Sequence, residues 1–284
     1  MIRSLFSGAS GMKNHQTRMD VIGNNIANVN TTGFKGSRAN FQDILYQTVR
    51  YASAAGTTAA GTNVGGVSPS QVGLGVMVSS ITNNTGQGGL QNTGRSLDLG
   101  INGNGWYILS TDGTAVTGDT VGKLNERFSR EGIFYVDNLG NLVNSNGYYL
   151  CDTSGNSINL GTAGIATITV SKDGVISGKD LQGNDLPTAT IGLAMFPNQD
   201  GLERDGQNTY KISQTSGFIT DVGGIGTPNA NGYGTINSGF LEMSNVDLTD
   251  EFTSLITTQR GYQANARTVT TSDQILEELL NIKR

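Results

Sequence analysis

Apolar residues recur every seven positions at the two ends of this chain, while the long middle alternates on a shorter period. Near the N-terminus Leu5, Met12, Met19 and Ile26 keep the seven-residue spacing, with Ile2 and Ala9 on companion positions. Near the C-terminus Leu248, Leu255, Tyr262, Val269 and Leu276 do the same, accompanied by Phe252, Ala266 and Leu280. A seven-residue repeat holds one narrow stripe of a helix towards a partner helix, so both ends read as coiled-coil helices. The spacing predicts a helix over 2–28 and another from about 248 to 282. Gly8, Gly11 and Gly23 each weaken the first helix by about 1 kcal/mol relative to alanine. Its Leu and Met residues return ~1.5–3 kcal/mol each only once something covers them. The small residues Gly8, Ala9 and Gly11 also leave room for a neighbouring backbone. The second helix has Asn245 or Asp247 as a candidate N-cap and the acidic Asp250 and Glu251 in its first turn. At ~1.5 Å per residue it is roughly 50 Å long, so it projects from any small domain. Gln16, Gly23, Gln259 and Asp273 interrupt the stripes. A two-helix hairpin within one chain remains open on pattern alone, but the interruptions favour surfaces whose burial is shared among many neighbours.

Between the helices, the Asn/Thr/Gly-rich segment 24–35 reads as a defined turn. A short helix is expected at about 38–50, with Phe41, Ile44, Leu45 and Val49 on one side. The run Ala52–Thr62 has no side chain larger than threonine and reads as a linker or mobile loop. Alternation resumes at 72–78 as a strand. From 94 to 240 the texture is all-β, with turn signals every 8–12 residues. Hairpins are expected where 133–136 and 142–143 flank Asp137-Asn138-Leu139-Gly140-Asn141, and where 168–170 and 175–176 flank Lys172-Asp173-Gly174. Ile191–Phe196 is a buried-strand candidate. The expected fold class is α+β. Residues 1–30 and 245–284 form a coiled-coil-like helical inner domain, 31–93 a linker with a short helix and a strand, and 94–244 a sandwich- or barrel-like β-rich outer domain.

Composition narrows the function. Charged residues make up only 14% of the chain and glycine contributes 41 residues, which fits short strands and turns rather than a charged disordered tail. The net charge is -5 and no basic run stands out, so nucleic acid and anionic membrane are poor partners. One cysteine, Cys151, excludes an internal disulfide framework and reads as a small buried strand residue. The one histidine, His15, lies in the first helix, which removes any Ser/His/Asp set. Glu131 and Asp137 could pair as carboxylates, but a hairpin turn explains Asp137 more simply. Catalytic, cofactor-binding and metal-binding residues are therefore expected to be absent. No apolar run reaches 18 residues, and Asn14, His15, Gln16 and Arg18 interrupt any secretory core. Export that reads an unfolded N-terminus leaves no such mark.

The string Met19-Asp20-Val21-Ile22-Gly23-Asn24-Asn25-Ile26-Ala27-Asn28-Val29-Asn30-Thr31-Thr32-Gly33-Phe34-Lys35 resembles the bacterial flagellar rod and hook family of axial proteins. Leu241-Glu242-Met243-Ser244-Asn245-Val246-Asp247-Leu248 and Gln259-Arg260-Gly261-Tyr262-Gln263-Ala264-Asn265 continue the likeness, and 97–105 with 128–132 resemble the start of its β domain. The Leu241–Leu248 string and Gln263-Ala264-Asn265 look more like hook than distal rod. The resemblance therefore implies a hook subunit of the short type with one outer domain, the distal rod being the alternative. It further implies a hollow helical homopolymer that transmits torque as a flexible joint. The terminal stripes would be its inner tube, and Asn24, Asn25, Asn28, Thr32, Gly33 and Phe34 the link to the outer domain. Implied partners are other copies of the chain, rod and hook–filament junction proteins, the hook cap and the export apparatus. The implied location is extracellular, in the flagellar hook or basal body, reached without a cleaved signal peptide.

Overall fold

The computed structural model describes residues 2–57, 63–116, 125–161, 164–217 and 224–282. They divide into two compact units. The first comprises Met1–Asn24, Ser37–Thr82 and Leu248–Arg284, and the second Asn25–Gly36 and Asn83–Asp247.

The first unit holds two long helices, α1 (Ile2–Ala27) and α2 (Leu248–Ile282), and a β-ribbon. The ribbon nests β1 (Ser37–Asp43) against β6 (Val76–Asn83) and β2 (Tyr46–Arg50) against β5 (Ser70–Gly73). Towards its tip β3 (Gly56–Thr57) pairs with β4 (Asn63–Val64). The helix expected at 38–50 is thus two strands. Its supposed face explains why: Leu45 and Val49 stay exposed, so a helix there would bury no stripe. Its Phe41, Tyr46, Thr48 and Val49 instead suit strands whose backbone groups are paired by β6 and β5. The first half of the expected linker belongs to the same ribbon, because Ser53 and Val67 exchange both backbone hydrogen bonds. Residues 58–62 of that linker lie outside the described residues. Gly75, at φ +126, makes the bend between β5 and β6, and a side chain there would collide with Ser10 of α1. Asn14 of α1 donates its amide to the Val76 carbonyl, fastening the ribbon to the helix.

The second unit is β-rich. Its main sheet runs in the order Phe134–Val136, Leu142–Asn144, Tyr149–Leu150, Trp106–Ser110, Glu126–Ser129, Thr209–Lys211 and Glu203–Gly206. This sheet is open and does not close into a barrel. Trp106–Ser110 is buried on both faces, and its alternation builds two cores. Tyr107 and Leu109 pack with Leu99, Phe134, Leu150 and Ile191 on one side. Trp106 and Ile108 pack with Phe128, Phe196 and Tyr210 on the other. Both expected hairpins form, with Gly140 at φ +81 and Gly174 at φ +73 in their turns. Of the expected 191–196 strand, Leu193–Ala194 forms a strand and Ile191 a single bridge to Asp152, and Ile191 and Phe196 are buried. Cys151 is buried, and burial pushes its thiol pKa up to about 12, so it is not a poised nucleophile.

Candidate assembly surfaces

In the first unit α1 and α2 run antiparallel along a seam of small and polar residues. Ser4 Oγ lies 3.3 Å from Ser272 Oγ. A Cβ on Gly8 would stand 2.9 Å from Thr268 Oγ1 and 3.1 Å from Val269 Cγ2. One on Gly11 would stand 2.5 Å from Asn265 Nδ2, and one on Gly261 would stand 2.8 Å from the His15 ring. The positions 4, 8, 11 and 15 alternate steps of four and three, as do 261, 265, 268 and 272, which is the spacing of a coiled-coil seam. The seam is therefore offset from the apolar stripes. Leu5, Met12, Met19, Leu255, Ala266, Val269 and Leu276 are half-buried, Ala9 is exposed, and Ile2 opens α1. Leu248, Phe252, Tyr262 and Leu280 are exposed, Leu280 at 69%, and so are Ile256, Ile275 and Leu279. The buried residues of α2 are Thr258 and Ser272. This chain thus uses its small residues to bring its own helices together and leaves much of the apolar row uncovered.

The second unit contains the other motif segment, Asn25–Gly36, docked on the β structure. Asn25 is buried, Asn24 exposed, and Ile26, Asn28 and Thr32 half-buried. The Thr32 carbonyl accepts a hydrogen bond of 3.2 Å from Asn208. Gly33 adopts φ +68 and donates its N–H to the Glu242 carbonyl at 2.7 Å. A Cβ on Gly33 would lie 2.6 Å from the backbone nitrogen of Glu131. Phe34 is buried, with the Arg204 guanidinium 4.9 Å from its ring centroid. Arg204 also donates to the Lys35 carbonyl and to Asn83 Oδ1.

Three charges are buried here together. Lys35 Nζ lies 2.6 Å from Glu242 Oε1, and Arg130 Nη1 lies 3.2 Å from Glu242 Oε2. Lys35 also donates to the Gly86 carbonyl, Arg130 to the Gly103 carbonyl, and Gly88 N–H to Glu242 Oε1. Asn245 completes the knot by accepting from Gly36 N–H and donating to the carbonyls of Asn84 and Gly86. Burial lowers the Lys35 pKa and the Glu242 carboxylate opposes that shift. A buried carboxylate serving two cations and a backbone N–H is well satisfied, whereas either cation without it would be stranded. The segments that follow α1 and precede α2 thus meet on the β structure, with the Glu242 carboxylate bonding both Lys35 and Arg130.

Lys35, Arg130, Arg204 and Glu242 did not figure among the expected site residues. A signal for two of them existed. In a chain this poor in charge, Lys35 stands between Phe34 and Gly36 and Glu242 between Leu241 and Met243, a setting that calls for a partner of opposite sign. Among the described residues no group of His, Cys, Asp and Glu could hold a metal ion, and no helix is long and apolar enough to cross a membrane.

The first unit thus carries two paired terminal helices, the second of them with exposed apolar residues, and the second unit is β-rich around the buried Lys35–Glu242–Arg130 group. The chain belongs to the flagellar rod and hook family of axial proteins. Family models described as "Flagella basal body rod protein", "Flagellar hook protein FlgE/F/G D1 domain" and "Flagellar basal body rod FlgEFG protein C-terminal" match residues 5–35, 100–178 and 237–282. The flagellar basal-body rod protein FlgG of Bacillus subtilis (strain 168) is 46% identical over 285 residues, covering 100% of both chains. That of Agrobacterium fabrum (strain C58) is 36% identical over 274 residues, covering 96% of this chain and 97% of its own. The flagellar hook protein FlgE of Treponema pallidum (strain Nichols) is 29% identical over an alignment of 472 positions covering 100% of both.

Proposed function

We propose that this chain is a rod subunit of the flagellar basal body, a segment of the distal drive shaft, and not the hook subunit that its terminal strings suggest. The observation that carries this is collinearity. The rod-named Bacillus subtilis relative aligns over 285 residues against the 284 of this chain. Alignment with the hook-named Treponema pallidum relative must open to 472 positions, so that protein carries long segments with no counterpart here. The likeness of Leu241–Leu248 and Gln259–Asn265 to hook subunits is then a property of the C-terminal segment, where the matching family model, at residues 237–282, is described for FlgE, FlgF and FlgG together.

Assembly follows from the uncovered helix rows. Each exposed Leu, Ile or Phe of α2 covered by a neighbouring copy contributes ~1.5–3 kcal/mol, and a homopolymer offers the same cover to every copy. The subunit's role is mechanical and non-enzymatic. It is exported and joins the growing shaft, where it meets other axial proteins at the ends of its own stack. Electron microscopy of basal bodies from cells lacking the gene tests the reading: the distal rod should be missing. Basal bodies with complete rods and only the curved hook absent would restore the hook assignment.

A further inference from the structure

His15 is the chain's one histidine, and it stands in the seam between α1, α2 and the ribbon. Its ring faces Gly261 of α2, where a Cβ would come within 2.8 Å of both Cε1 and Nε2. On the ribbon side it meets Phe41 edge-on, with centroids 5.9 Å apart and planes at 87°. Its Nδ1 is buried with no hydrogen-bond partner among the described residues. Arg18, nearly one turn further along α1, holds its guanidinium 5.9 Å from the same Phe41 ring. Of the three elements around the imidazole, α1 supplies the charge that reaches it, from Arg18. The strand β1 presents the apolar Phe41, and α2 presents the backbone of Gly261.

A neutral imidazole can leave one ring nitrogen as an unprotonated acceptor, which costs less to bury without a partner than a charged donor does. An imidazolium must donate from both nitrogens. In this seam the second donor would be buried without an acceptor, beside a like charge. We propose that His15 makes the packing of α1 on α2 and β1 proton-sensitive: the neutral ring fits the seam, and the protonated ring loosens it.

Burial first, and Arg18 second, lower the pKa of His15 below its ordinary value. The unfolded chain therefore takes up the proton more readily than the folded one. Stability is at full strength above the ordinary histidine value of about 6.5 and is lost as pH falls through it towards the lower folded value. Resting on the reading of α1 and α2 as the assembly core, the consequence is that acid favours release of subunits and neutral pH favours their addition.

The test uses the full chain and its His15→Gln variant between pH 8 and pH 5. As the only histidine, His15 gives a single imidazole resonance whose titration needs no assignment. The proposal expects a midpoint below that of the same chain in urea. It also expects helical circular dichroism that falls with acid in the parent and falls less in His15→Gln. A midpoint equal to that in urea, or the same acid loss of helix in both proteins, overturns it. Sedimentation over the same range separates the two readings. A lowered midpoint in a chain that never assembles at any pH sustains the proton-sensitive seam and sinks the assembly reading instead.

Discussion

Lys35 and Glu242 are separated by 207 positions in the chain and by 2.6 Å between Nζ and Oε1. Each belongs to a segment adjoining a terminal helix, and Arg130 of the β structure shares the same carboxylate. The arrangement makes Glu242 the one negative member of a buried group of three, which ranks the effects of substitution.

Glu242→Gln removes the only anion and strands two buried cations, so it should cost about 3–5 kcal/mol. Lys35→Met leaves Glu242 paired with Arg130 and Gly88 and should cost clearly less. The single tryptophan, Trp106, is fully buried with the Arg130 guanidinium 5.4 Å from its ring, so its fluorescence during urea unfolding reports on this unit. Equal losses for the two variants would show that the charge count does not govern the site.

Gly33→Ala is expected to destabilise the same unit. The left-handed backbone alone costs about 1–2 kcal/mol for a residue with a Cβ. Here that Cβ also presses on the backbone of Arg130 and Glu131, which cannot rotate away as a side chain could. The tryptophan-monitored midpoint should drop in urea, and an unchanged midpoint would contradict the docked geometry of Gly33.

The glycines of α1 should answer substitution with opposite signs. Nothing lies within 4 Å of a Cβ on Gly23, so Gly23→Ala should stabilise the helix by about 0.8–1 kcal/mol. Gly8→Val drives a branched side chain into Thr268 and Val269, so it should open the α1–α2 seam despite its better helix propensity than glycine. Helical circular dichroism against temperature should rise in midpoint for the first and fall for the second.

Cys151 should resist thiol reagents in the native chain. With a thiol pKa of about 12, its thiolate fraction at pH 8 is lower than that of an ordinary cysteine by roughly three orders of magnitude. Labelling should be slow in buffer and fast in urea. Rapid native labelling would mean that Cys151 is reachable and that the core around Tyr149 and Ile108 opens readily.

The long elements were readable because they carry long periods. The stripes through Leu5–Ile26 and Leu248–Leu280 defined both helices, and the Asp137–Asn141 and Lys172–Gly174 turns marked their hairpins. The segment 38–50 was misread because Phe41, Ile44, Leu45 and Val49 happen to lie at helical spacing. Its real structure depends on β5 and β6, twenty or more residues further on, and no local pattern encodes that pairing. The seam was half legible. Gly8 and Gly11 were recognisable as room for a backbone, but that the backbone would be α2, through Asn265 and Thr268, is a matter of register between distant helices. The Lys35–Glu242–Arg130 group was least visible, since its members come from three separate parts of the chain and meet only when the fold is complete. The proposed rod assignment rests on chain length relative to whole relatives and not on any short string.

The central claim is that the uncovered row of α2 is covered by other copies within a rod. A helical reconstruction of isolated basal-body rods at side-chain detail tests it most directly. The account predicts a straight polymer of this chain in which Phe252, Ile256, Ile275 and Leu279 are buried against neighbouring copies. A reconstruction that places the chain in the curved hook, or that leaves those four side chains facing solvent, would contradict it.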